Sequence, residues 1–355
     1  MVYLLSNLDF EPSWARQHTG KDLPKIITRV AERWSSILRL LHPEGRPLPV
    51  NIHQLPSPDL HLPNSSKNRS LIPWGWTPEV LSFARAADLD FLAPPLKQVQ
   101  KVNAKDFSHH LEATLQIALP GAALVASTED FLRALKAIPG PWLAKGIWGV
   151  SGRDQRPGES GICTDADLRW LSRSFNAGFP LLLEPRISID AEYSFHFQIH
   201  PDATITPLGF CSLFTGRQGT LRGLASGPAL SSPPHSLHQG AAAAAEAVAQ
   251  EGYFGPLGID SFLGSYQNSP ILRPLSEINA RHSFGRLTLA IADALNLAPT
   301  QALRWHHPSK SETWPDQLRP WPQALSPLPD GLYTLPEEAD PDQASRTYLE
   351  IYSNS

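Results

Sequence analysis

Sulfur is scarce in this chain. Cys163 and Cys211 are its two cysteines among 355 residues, and there is one methionine. Neither cysteine sits in a CxxC pair or beside histidines at metal-ligand spacing. This argues against a disulfide scaffold or a structural zinc, and a reducing cytoplasm is the expected setting. Excess charge of one sign is also missing. A net charge of -4 provides no global field toward nucleic acid or a membrane surface, and neither is expected as a partner. No apolar run approaches the length of a membrane span. The opening MVYLLSNLDFEPSW lacks the basic start of a signal peptide. The chain has no GxSxG or HExxH. The first apolar run leads into SNLDFEPSW, which holds no glycine, so a doubly wound dinucleotide fold is disfavoured.

What is present suits a sizeable enzyme. At 41% hydrophobic the chain can bury a full core, and its length fits two or three domains. The 35 prolines cluster in loops and in the last quarter, where they favour irregular, extended backbone.

VYLLSN at 2–7 reads as a buried strand. Apolar residues from Pro24 to His42 recur at helical spacing, a loop-rich stretch to Pro73 holds a short strand near Val50–His53, and Thr77 with Pro78 opens a helix to Ala87. Helices are predicted over Asp106–Leu119, Glu129–Ala137 and Asp165–Ser174. A short VAS segment precedes the second, and the apolar strand Trp142–Ile147 follows it. Strands follow at Pro180–Glu184, Glu192–Ile199 and Ala203–Phe210, then an alanine-rich helix over Ala241–Gln250. A hairpin and a helix at Leu287–Leu295 come next. A Pro- and Trp-rich tail ends in a strand pair at Gly331–Leu335 and Arg346–Tyr352.

The hairpin, EGYFGPLGIDSFLG followed by LRPLSEINARHSFGR, is the most telling segment. Asp260 is expected to close its first strand. On the second, the alternation Leu275, Glu277, Asn279 sets both polar groups on one face. Two carboxylates and an amide oxygen are hard ligands of the kind Mg²⁺ takes together with phosphate oxygens. Earlier, Lys145 ends an apolar strand, where a cation is costly unless it meets an anion. The loop beyond it, with Gly149, Ser151 and Gly152, could wrap a polyphosphate with backbone N–H groups. A solvated turn and a solvated hairpin are the bland alternatives. His235 with His238, and His306 with His307, are read as loop residues without metal-ligand spacing.

Taken in order from Val102 to Leu295, these residues resemble the ATP-grasp ligases. That resemblance implies an α+β fold: an N-terminal α/β domain over 1–100, a lid subdomain over 101–183, a metal-bearing subdomain over 184–305 and an extension over 306–355. It implies ATP as cofactor with Mg²⁺ or Mn²⁺ on Asp260, Glu277 and Asn279. Lys105 matches the first phosphate lysine, with Lys101 left open, and Lys145 with Gly149–Gly152 matches the second lysine and its glycine loop. Glu184, Arg186 and Ile187 match the adenine hinge. Pro185 departs from it, because it has no N–H to donate. Glu192 matches an acid near the ribose or the phosphate lysine. Arg281 matches an arginine facing the transferred phosphoryl group or acceptor. Ser283 and Gly285 would shape a turn near the acceptor, and Arg217 and Arg222 on a Gly-rich loop could clamp an acidic substrate.

The implied reaction joins a small-molecule carboxylate to an amine, an amino acid or peptide, through an acyl phosphate. A carboxyphosphate-forming carboxylase and a nucleotide-binding protein without ligation are the alternatives, and a homodimer is compatible with each. The segment Gly146–Gly161 is expected to be a mobile loop that closes over the phosphates.

Overall fold

The computed structural model describes residues 1–19, 34, 37–48, 69–148, 154–216, 220–307, 315, 317–320, 328–334 and 347–353. Three sheets organise them. The first is parallel, with β1 (Val2–Leu5) between β2 (Arg46–Pro47) and β3 (Ser70–Pro73). Its central strand is almost wholly buried, as an apolar run covered on both faces should be. Helix α1 (Phe10–Thr19) follows β1. Helix α2 (Pro78–Ala86) starts where expected, since the Thr77 hydroxyl accepts from the Val80 N–H and Pro78 needs no donor there. The helix expected over Pro24–His42 falls largely outside the described residues, and Ile37–Leu40 forms a 3₁₀ turn. The strand expected near Val50–His53 lies outside them.

Helices α3 (Leu96–Asn103) and α4 (Lys105–Thr114) lead into a four-stranded antiparallel sheet. It contains β4 (Ala123–Val125), β5 (Trp142–Gly146), β6 (Gln155–Gly158) and β7 (Leu181–Pro185), with α5 (Thr128–Leu135) and α6 (Asp165–Asn176) packed against it. Helix α4 stops at Thr114, five residues short of the expected end, and Gln116 then turns with φ 58°. Thr164 and Asp167 form a reciprocal capping box that starts α6. Phe131, Trp142, Leu171 and Leu181 make this unit's own core. Two sequence expectations change. Residues 155–158, expected within a single loop, pair with β5. All of β7 pairs inside this sheet, including Glu184 and Pro185, so the unit runs past residue 183.

The third sheet is antiparallel, with eight strands in the order β12, β11, β8, β9, β10, β13, β15, β14. These are β8 (Ser188–Ile199), β9 (Ile205–Thr215), β10 (Leu221–Ser226), β11 (Gly255–Tyr266), β12 (Ser269–Asn279), β13 (Gln301–His306), β14 (Gly331–Tyr333) and β15 (Tyr348–Ser353). The tail thus completes this sheet. Helix α7 (His235–Gln250) packs on β11 and β12, and α8 (Phe284–Ala294) on β9 and β10. The largest core joins this sheet to the N-terminal residues, with Phe10, Trp14 and Trp74 in the same cluster as Phe195, Leu257 and Trp305. Among the described residues no helix is long and apolar enough to cross a membrane.

The hairpin differs from its expected form in two ways. Asp260 does not close its strand, because β11 continues to Tyr266. Between the pairs Asp260↔Glu277 and Phe262↔Arg273 the register slips, so Pro274–Ser276 stand opposite Ser261 alone. This bulge in β12 re-aims the side chains on either side of it. Leu275 consequently enters the core while Glu277 and Asn279 face the cleft. Helix α7 comes so close that a Cβ on Gly240 would lie 2.2 Å from the Pro274 side chain, which leaves room for glycine alone.

Candidate active site

A cleft of about 790 Å³ opens where the four-stranded and eight-stranded sheets meet, with Glu11 of α1 also in its lining. Lys145, Glu184, Arg186 and Ile187 line the side of the four-stranded sheet, and Glu192, Asp260, Glu277 and Asn279 the side of the eight-stranded sheet. Lys145 and Asn279 lie more than a hundred residues apart in the chain, and the antiparallel register of β8, β11 and β12 brings Glu192, Asp260, Glu277 and Asn279 to one wall.

Asp260 and Glu277 are direct partners across the hairpin. The Ser194 hydroxyl donates to Asp260 Oδ1 at 2.7 Å, and Asn279 Nδ2 donates to Oδ2 at 3.0 Å. Burial, with the charge of Glu277 second, pushes the Asp260 carboxyl up from 3.8 to about 7. Burial also acts to raise Glu277, but the Lys105 ammonium beside it reverses the effect and lowers its pKa. Two adjacent acids are thus driven apart, and both would gain from a cation between them. Among the described residues no cluster of three His, Cys, Asp or Glu side chains suits a metal. A cation here would therefore rest on these two carboxylates and the Asn279 amide. The three fit a hard divalent ion, with the amide oxygen turned inward in place of the Nδ2 that now contacts Asp260.

The lysines separate clearly. Lys105 opens α4, is 7% exposed, and its Nζ pairs with Glu277. Lys101 instead meets Glu251 at 2.6 Å on an open surface. Lys145 meets an anion as strand-end burial requires, but that anion is Glu184, at 2.5 Å. Glu184 is 1% exposed. Burial acts to raise its carboxyl, yet the charges of Arg273 and Lys145 bring it down from 4.5 to about 2. Both its oxygens are held by cations, Oε1 by Arg273 and Oε2 by Lys145. Glu192 accepts from the Thr215 hydroxyl, and burial raises its carboxyl.

Arg281 donates to Asn279 Oδ1 at 2.9 Å and to the His282 carbonyl at 3.0 Å, and it pairs with Glu11. Ser283 and Gly285 line the cleft, but from the start of a helix rather than a turn. Ser283 caps α8 by accepting from the Arg286 N–H, and Gly285 lies inside that helix. Arg222 is on β10 rather than in a loop and does not line the cleft. Arg217, Gly149, Ser151 and Gly152 lie outside the described residues. His235 begins α7 and His306 is within β13, so neither is a loop residue.

Sequence reading missed Glu11, Glu112, Ser194 and Arg273. Arg273 carried a signal, since an arginine inside the strand run ILRPL must find an acid if the strand is buried. Glu11 carried none.

No family model matches the chain, and no curated protein matches it. Solved structures do resemble it. The biotin carboxylase domain of 2-oxoglutarate carboxylase from Hydrogenobacter thermophilus, a dimer in complex with MgADP, ADP and bicarbonate, aligns with a TM-score of 0.52 and 15% identity over 77% of this chain and 66% of that one. Biotin carboxylase from Campylobacter jejuni aligns at 0.51 and 12% identity, over 80% and 71%. N5-carboxyaminoimidazole synthetase from Staphylococcus aureus, with ADP, aligns at 0.47 and 12% identity over 67% and 65%. The chain spans just under two thirds of the Hydrogenobacter and Staphylococcus proteins. With these likenesses the fold is placed: the chain has the α+β ATP-grasp fold.

Proposed function

We propose that the protein is an ATP- and Mg²⁺-dependent ligase that activates a carboxylate as an acyl phosphate and joins it to an amine. The observation that carries this reading is the convergence on one cleft of Lys145, Asp260, Glu277, Asn279 and Arg281, with Lys105 against Glu277, in an ATP-grasp fold. Lys105 and Lys145 would hold the nucleotide phosphates, with Gly149, Ser151 and Gly152 following Lys145 in the chain. Arg186 and Ile187, which line the cleft, would meet the adenine edge. Asp260, Glu277 and Asn279 would hold the divalent ion, which neutralises phosphate charge during phosphoryl transfer. Arg281 is a bidentate donor suited to the transferred group or the carbonyl oxygen as it becomes an oxyanion. An amine that has lost its proton attacks the mixed anhydride unaided.

An amino acid or short peptide is the proposed acceptor class, the setting is cytoplasmic, and a homodimer is the proposed assembly. A phosphate-release screen over amino acids and short peptides, with ATP and Mg²⁺, tests the ligase reading. Amine-dependent release supports it. Bicarbonate-dependent release without amine favours the carboxyphosphate route, the reading to which likeness to biotin carboxylases lends weight. Calorimetric nucleotide binding with no release across the panel would leave a binding protein.

A further inference from the structure

One guanidinium lies between Lys145 of the cleft and the helix that carries Lys105. Arg273 on β12 is 2% exposed. Its Nε donates to Glu112 Oε1 at 2.7 Å and its Nη2 to Glu112 Oε2 at 2.8 Å, a fork-to-fork pair. The same Nη2 reaches Glu184 Oε1, and Nε also donates to the Leu275 carbonyl at 3.1 Å. The other oxygen of Glu184 meets Lys145. Glu112 and Glu184 are as buried as the arginine they share.

Glu112 stands seven residues after Lys105 on α4. Seven residues make about two helical turns, so both side chains leave the same face. Lys105 pairs with Glu277, and Glu112 pairs with Arg273, four residues earlier on β12. The helix is therefore pinned along the strand by an ion pair at each end. Through Glu184 the same arginine reaches across to the lid sheet, where Lys145 is held. Two acids and two bases balance in the network. Removing Arg273 leaves Glu112 and Glu184 together against Lys145, and the three groups then carry a net charge of -1.

We propose that Arg273 is a positioning residue for phosphate binding: it holds Glu184 and α4 so that Lys145 and Lys105 present their ammonium groups to the cleft. The proposal rests on reading the cleft as a nucleotide site. A buried ion network that served stability alone would be replaceable by apolar groups at little cost. It would also affect every part of a bound nucleotide alike.

The test compares wild type with Arg273→Lys, which keeps the charge and loses the fork, and with Arg273→Met/Glu112→Gln, which removes one charge of each sign. Circular dichroism and thermal melting establish that each is folded. Calorimetry then gives affinity for a non-hydrolysable ATP analogue with Mg²⁺, and competition gives affinity for adenosine, which has no phosphate. Both variants should lose about tenfold or more for the triphosphate, the usual size when a partner that orients a ligand-holding group is removed. Their adenosine affinity should stay within about twofold of wild type. Equal losses for both ligands, or no loss for either, would overturn the proposal while leaving the nucleotide site in place. Wild-type protein that binds neither ligand would remove the nucleotide reading and this proposal with it.

Discussion

Replacing Glu184 by Gln removes the one negative charge that two buried cations share. The depression of its carboxyl from 4.5 to about 2 corresponds, at 1.36 kcal/mol per pH unit, to about 3 kcal/mol of stability at neutral pH. That agrees with the roughly 3–5 kcal/mol usually lost when one member of a buried ion pair is deleted. The pH dependence is distinctive. A lowered acid contributes fully above its unfolded value and loses its contribution as pH falls toward its folded value. The difference between wild type and Glu184→Gln should therefore be complete at pH 7 and fall to less than half of that at pH 3. Urea denaturation at both pH values, with matched slopes, measures it. A neutral-pH difference below about 1 kcal/mol, or one unchanged at pH 3, would refute the view that Arg273 and Lys145 together hold this carboxylate ionised.

Lys101→Ala should leave nucleotide affinity intact and change stability by less than about 0.5 kcal/mol, because its pair with Glu251 is solvent-exposed. Lys105→Ala should abolish measurable binding in the same calorimetric titration, and equal behaviour of the two variants would contradict the assignment. Asp260 is raised to about 7 by burial and by Glu277, so the folded state holds its proton longer and metal-free stability should fall as pH rises from about 4 to 7. Asp260→Asn should melt higher than wild type at pH 8 and equally at pH 4, and should lose Mn²⁺ binding followed by electron paramagnetic resonance. Glu277→Gln should keep its circular dichroism spectrum and lose turnover by about two orders of magnitude or more, and wild-type turnover would exclude a metal role.

Much of the local structure was legible from residue types alone. Thr77 with Pro78 announced a helix start, and the alanine-rich run announced a buried helix, though its start at His235 was missed. Strand-end Lys145 needed an anion, and EIN set two polar groups at a two-residue spacing. Each of these signals acts within a few residues, through capping, periodicity or desolvation. The partners were another matter. The bulge at Pro274–Ser276 sends Leu275 to the core, against simple alternation, because register is settled by pairing across strands. Lys105 and Lys101 are four residues apart and equivalent by composition, yet the docking of α4 on β12 puts one against Glu277 while the other meets Glu251. Arg281 finds Glu11 from 270 residues away. No local pattern encodes such contacts, since charges in sequence carry no record of which sheet will bring them within reach.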